Sequence, residues 1–140
     1  MEKTKEPDWK RAGEENPAFT PSKKRMKAVP KKWVKTNGGG NGLVTCKPED
    51  ADEIIIKTPC PIRHMETRIL NVNPSRKDRP CWFWNKDTER PTIKPSIRTA
   101  GGQGELCHSF VTDGKIKFLG DCTHELAGKT VDLLDVDWYT

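Results

Sequence analysis

The chain has little with which to build a large core. Of its 140 residues 33% are hydrophobic, against 32% charged, and aromatics contribute only 7%. A core of ordinary size therefore cannot include the whole chain, and one small domain is expected. No continuous apolar run reaches the length of a membrane-spanning helix or resembles a secretory leader, so we expect no membrane span and a cytoplasmic setting. Glycine-rich phosphate loops, a nucleophile elbow and HExxH are all missing, which removes three common signatures of catalysis. The five cysteines are an odd count. Without a leader, that argues against a disulfide framework and for reduced thiols. Helical periodicity is missing too, and this leaves short strands as the building material.

Charge is unevenly placed. Residues 1–45 carry 11 Lys or Arg against 5 Asp or Glu, while residues 46–140 carry 14 against 15. The net charge of +5 thus belongs to the N-terminal third. Pro7, Pro17, Pro21 and Pro30 interrupt any long helix there. Residues 37–42, NGGGNG, have the composition of a flexible linker. We therefore expect residues 1–42 to form a basic, largely disordered arm, with a β domain over 43–140. Within the arm, Lys23, Lys24, Arg25 and Lys27 continue to Lys31, Lys32 and Trp33. These residues suit a phosphate backbone, with the indole stacking on a base. A solvated basic tail has the same composition.

Short β-type segments follow. EIIIK at 53–57 and TRILNV at 67–72 read as strands, and CWFW at 81–84 as an aromatic strand. Pro91 to Ile97 reads as an edge-type segment, because proline cannot donate to a ladder. TVDLL at 130–134 closes the domain as a last strand. The densest stretch is Cys107 to Thr130. Asp113-Gly114 there suits a two-residue type I′ turn between Ser109–Thr112 and Lys115–Leu119. That register sets Val111 opposite Ile116 and Ser109 opposite Phe118, with Cys107 and His108 on opposite faces. The fold class that results is all-β, a small antiparallel sandwich or open barrel.

Five side chains in this part are candidate metal ligands: Cys60, His64, Cys107, Cys122 and His124. Pro59 and Pro61 stiffen a knuckle around Cys60, and Cys122 with His124 stands two apart on an extended chain. Zinc takes four Cys or His ligands, so five candidates compete for four places. Buried inert thiols are the alternative, and Cys46 and Cys81 are assigned to it. A structural zinc contributes folding free energy on the order of 10 kcal/mol in small domains, which a chain with so modest a core can use.

From about Cys60 to Val136 the chain resembles a family of small phage and bacterial proteins of uncharacterised function, some labelled ammonia monooxygenase. The resemblance rests on the Cys60-Pro61 knuckle with His64 and on the aromatic strand at 82–85. It rests further on PTIKPSI at 91–97 and on CHSFVTDGKIKFLGDCTHELAGKT at 107–130. Relatives often carry a second cysteine shortly after the Cys-Pro pair, where this chain has Ile62 and Arg63. The resemblance implies a fold and a metal site, and it supplies no activity.

These readings converge on a zinc-binding β domain acting as an interaction module. As a virion component or a modulator of a host system, it would sit in a host cytoplasm or a virion. Its expected partner is another protein or its own copies, with nucleic acid reached through the arm. The alternative is a Cys/His- or zinc-dependent hydrolase. In that case His108, Asp121, Cys122 and His124 form the constellation, with Cys122 as nucleophile, or a zinc-bound water is activated by Asp121 or Glu125. Because His108 is predicted on the face opposite Cys122, no residue is assigned as catalytic.

Overall fold

The computed structural model describes residues 26–136. Over these residues nine strands form two antiparallel sheets, with no α-helix and no closed barrel. The first sheet contains β1 (Ala28–Lys35), β2 (Asn41–Thr45), β3 (Glu53–Lys57) and β4 (Thr67–Asn71), in the order β2-β1-β3-β4. The second contains β5 (Phe83–Trp84), β6 (Ile93–Ala100), β7 (Leu106–Thr112), β8 (Lys115–Phe118) and β9 (Thr130–Asp132), in sequence order. The all-β expectation holds.

Period-two alternation explains how the two sheets share one core. Ile54, Ile56 and Leu70 from the first sheet meet Ile93, Ile97, Val111, Ile116 and Phe118 from the second in one cluster. Ile55 points the other way and packs with Met26, Val29 and Val136. The run of three isoleucines is thus buried on both faces, which accounts for its continuous apolar character. Phe118 is fully buried at the centre. Phe118→Ala is expected to cost about 3–5 kcal/mol, from lost transfer energy and the cavity left behind. Urea unfolding of the two proteins, compared at equal slope, measures it.

The 113–114 hairpin forms as its turn residues dictate. Asp113 and Gly114 have φ of 52° and 81°, and Val111 pairs with Ile116 and Ser109 with Phe118. Two expectations need correction. Ordered structure does not wait for residue 43: β1 starts at Ala28 and lies inside the first sheet, between β2 and β3. The glycine-rich linker is the β1–β2 connection, where the Thr36 N–H donates to Gly40 O. Lysines at 27, 31, 32 and 35 masked this strand, yet Ala28, Val29 and Pro30 are buried in it. Residues 1–25, the rest of the expected arm, lie outside the described residues.

The second correction concerns β6, which is not an edge. It lies between β5 and β7 despite Pro95. Ile93 pairs with Val111 and Ile97 with Ser109, so four steps along β6 match two along β7. The surplus residues form a bulge over 94–96, where a proline needs no ladder partner.

Candidate functional site

The bulge in β6 sets the orientation of Ser96. Beyond it Arg98 lies directly across from His108 on β7. Alternation along β7 turns Cys107, Ser109 and Val111 inward and His108 and Phe110 outward. After β8 the chain turns back, with the Leu119 N–H donating to His108 O. This return carries Asp121 to the outer face beside His108.

Ser96, His108 and Asp121 consequently form a line. His108 Nδ1 is 3.0 Å from Asp121 Oδ2, and His108 Nε2 is 3.1 Å from Ser96 Oγ. The His108 hydrogen bond, aided more weakly by Arg98, holds the Asp121 carboxyl below its ordinary pKa. An ionised carboxylate can only accept, so Nδ1 carries the ring proton. Nε2 is then the acceptor and the Ser96 hydroxyl donates to it. This is the arrangement of nucleophile, base and orienting acid that activates a serine for acyl transfer. The site is accessible, with His108 22% and Asp121 52% exposed. Trp82 supports it from behind, its indole N–H donating to the Ser96 carbonyl at 3.2 Å.

A second cluster occupies the opposite face of the same strand. Ligand atoms of Cys60, Cys107 and His124 lie within 4.8 Å of one another. Cys60 follows β3, Cys107 is on β7 and His124 follows β8, so the group joins the two sheets. The Phe118 ring meets the His124 ring edge-on at 4.8 Å and fixes its plane. His124 Nδ1 accepts the Leu126 N–H at 3.2 Å, and Nε2 is buried without a partner. Burial lowers the pKa of His124, which favours a neutral ring. Burial also raises that of Cys107, reinforced by the nearby thiols of Cys60 and Cys122. Crowded, buried thiols beside an orphaned imidazole nitrogen fit a thiophilic cation, whose charge would favour the thiolates. The group is thus able to hold a metal ion.

The remaining candidates stand outside this group of three. His64 is exposed, with φ of 71°, and is not in this group. The Cys122 thiol faces the main chain of His108, accepting its N–H and donating to its carbonyl, both at 3.2 Å. No imidazole acts on Cys122, because His108 turns to Ser96 and Asp121; the constellation with a cysteine nucleophile is therefore not assembled. Cys81 is exposed, and Cys46 is buried away from the cluster, with its pKa pushed up to about 11 by burial. In the basic stretch, Lys31 is buried with its ammonium donating to Thr45 Oγ1, and the Trp33 indole donates to Glu53 Oε2. Lys27 and Lys32 are half-buried, while Lys23, Lys24 and Arg25 lie outside the described residues.

Ser96 is the member of this line that sequence reasoning missed. A signal for it existed. Pro91 and Pro95 in a strand call for a bulge, and bulges re-aim side chains beside active sites. An outward His108 on the next strand then supplies a base.

A family model described as bacterial ubiquitination-like system serine protease (BubE) matches residues 31–119. The match includes Ser96 and His108 and stops two residues short of Asp121. No curated protein and no solved structure matches the chain.

Proposed function

The chain belongs to the bacterial ubiquitination-like system serine protease (BubE) family, and from that premise we propose that it is a serine peptidase with Ser96 as nucleophile and His108 as general base. The observation that carries this reading is the continuous hydrogen-bond line Ser96–His108–Asp121, with spacings of 3.1 and 3.0 Å. In the first step Ser96 Oγ attacks a substrate carbonyl while Nε2 of His108 takes its proton. The same nitrogen returns that proton to the leaving group, and an acyl-serine remains. Water, deprotonated by His108, then releases the acyl group and regenerates the serine. Asp121 holds the ring in the productive tautomer and offsets the imidazolium charge.

The expected protein partner becomes the substrate, a protein of a bacterial ubiquitination-like system. Exposed apolar surface near the line supports docking of a polypeptide. Phe110 lies two positions from His108 on the same outer face, and Phe83 pairs with Lys94, two residues before Ser96. Zinc is the second part of the reading. Two thiols and an imidazole suit it better than the hard cations. Cys60 and Cys107 are 5% and 8% exposed, on the face opposite the serine. The metal's role is therefore structural rather than catalytic.

The test is covalent labelling of the full chain with a fluorophosphonate probe, mapped by peptide mass spectrometry. We expect modification at Ser96, none in Ser96→Ala and very little in His108→Ala. Labelling of another residue with Ser96 untouched would remove the basis of this assignment.

A further inference from the structure

We propose that Cys122 is the fourth ligand of the metal cluster, and that the bound metal holds His108 and Asp121 in register with Ser96. This rests on the peptidase reading for its second half only. The covalent chain provides the first argument. Cys107 precedes His108, and Asp121 precedes Cys122. Two members of the hydrolytic line are therefore each one residue from a thiol. In both pairs the cysteine is buried, while its neighbour is half-buried or exposed. A metal fixing the two sulfurs from below fixes the two main-chain segments that carry the base and its orienting acid.

The local geometry of Cys122 points the same way. Its thiol neighbours that of Cys107 and, with Cys60 and burial, raises the Cys107 pKa, although its sulfur stands outside the group of three within 4.8 Å. It also takes the His108 N–H at 3.2 Å. A metal-bound thiolate keeps that acceptor role and loses only the thiol's donation to the His108 carbonyl. Amide-to-sulfur bonds of this kind orient metal ligands from the second coordination sphere. Here the amide belongs to His108 itself, so the metal centre and the base share one peptide unit. Ligand atoms around tetrahedral zinc stand about 3.8 Å apart, given bonds of ~2.3 Å to sulfur. Cys60, Cys107 and His124, within 4.8 Å of one another, reach that spacing by slight contraction, and the Cys122 sulfur, outside that group, moves in to complete it. Metal on Nε2 of His124 fills the orphaned position and moves the ring proton to Nδ1. The 3.2 Å Leu126 contact is then given up for a metal bond.

X-ray absorption at the zinc edge of the wild-type chain, loaded with one equivalent, counts the ligands without any substitution. Three sulfurs and one nitrogen are expected; two sulfurs would overturn the ligand assignment. For the coupling, the rate of Ser96 labelling is followed as zinc is withdrawn by a chelator and restored. We expect a fall of about tenfold or more, reversed on restoring zinc. An unchanged rate in metal-free protein that keeps its far-ultraviolet dichroism would overturn the coupling. If metal-free protein unfolds, Cys122→His serves instead, because it retains a ligand and removes the sulfur that holds the His108 amide. Lowered kcat at unchanged KM supports coupling, and wild-type kcat defeats it. Failure of Ser96 to label in loaded and depleted protein alike defeats the coupling together with the peptidase reading. The sulfur count then still decides the ligand.

Discussion

Ser96→Ala is expected to lower kcat on a protein or ester substrate by at least about 10⁴-fold while leaving stability unchanged. The size follows from the chemistry. Removing the hydroxyl removes the acyl intermediate, and substrate binding with the remaining dipoles cannot replace it. His108→Ala should cost as much, because an unassisted serine hydroxyl is a poor nucleophile at neutral pH. The two losses should not add, since neither residue works without the other. Asp121→Asn is the informative third variant. Asparagine offers Nδ1 a donor or an acceptor, so the ring can settle in the tautomer that no longer accepts from Ser96. A loss of about 10⁴ in kcat, with KM and the melting curve unchanged, is expected. Asp121 is exposed, so these variants should fold, and steady-state kinetics with thermal melts separates chemistry from stability. A wild-type rate in Ser96→Ala would end the serine mechanism.

The second large effect concerns the fold itself. Removal of one cluster thiol, as in Cys60→Ala or Cys107→Ala, is expected to abolish cooperative unfolding or to lower stability by several kcal/mol. Cys60 belongs to the connection after β3 in the first sheet, whereas Cys107 and His124 belong to the second. A metal there closes a long loop and ties the sheets across the core. Structural zinc contributes on the order of 10 kcal/mol in small domains, and a whole domain is stable by only about 5–15 kcal/mol. Losing that tie therefore removes a large share of the total. Cys81→Ala is the control. Its side chain is exposed and outside the cluster, so a change within about 0.5 kcal/mol is expected. Calorimetry of the three variants, with zinc measured by elemental mass spectrometry, makes the comparison. Equal melting of Cys60→Ala and Cys81→Ala would show that the cluster holds nothing together.

Local chemistry was legible in the chain. Asp113-Gly114 defined its own hairpin, because that pair favours a turn with positive φ at both residues. The hairpin register then placed Cys107 and His108 on opposite faces by alternation alone. β3 was readable from its isoleucines, and the all-β class followed from many short segments without helical period. The site was harder to read. Cys60, Cys107 and His124 stood out by residue type, but so did His64, which the fold leaves exposed. Spacing along the chain does not report which loops fold back toward one another.

Ser96 shows where the sequence stops and the tertiary structure decides. A serine is among the commonest surface residues and carries no signal until a base is beside it. Its position depends on the bulge in β6, on the pairing of β6 with β7, and on the return of the chain after β8 that brings Asp121 alongside. Those are contacts between residues 12 and 13 apart in the chain, set by how the sheet closes and not by any local preference. β1 is likewise placed by tertiary pairing. Its lysines read as a solvated arm, and its place inside the first sheet comes from pairing with β2 and β3, which buries Ala28, Val29 and Pro30. By itself the sequence determined turn chemistry, strand faces and a stock of metal-binding side chains, since these depend on neighbours within a few residues. Which strands pair, and therefore which serine meets which histidine, was decided by burial of the two sheets against one another.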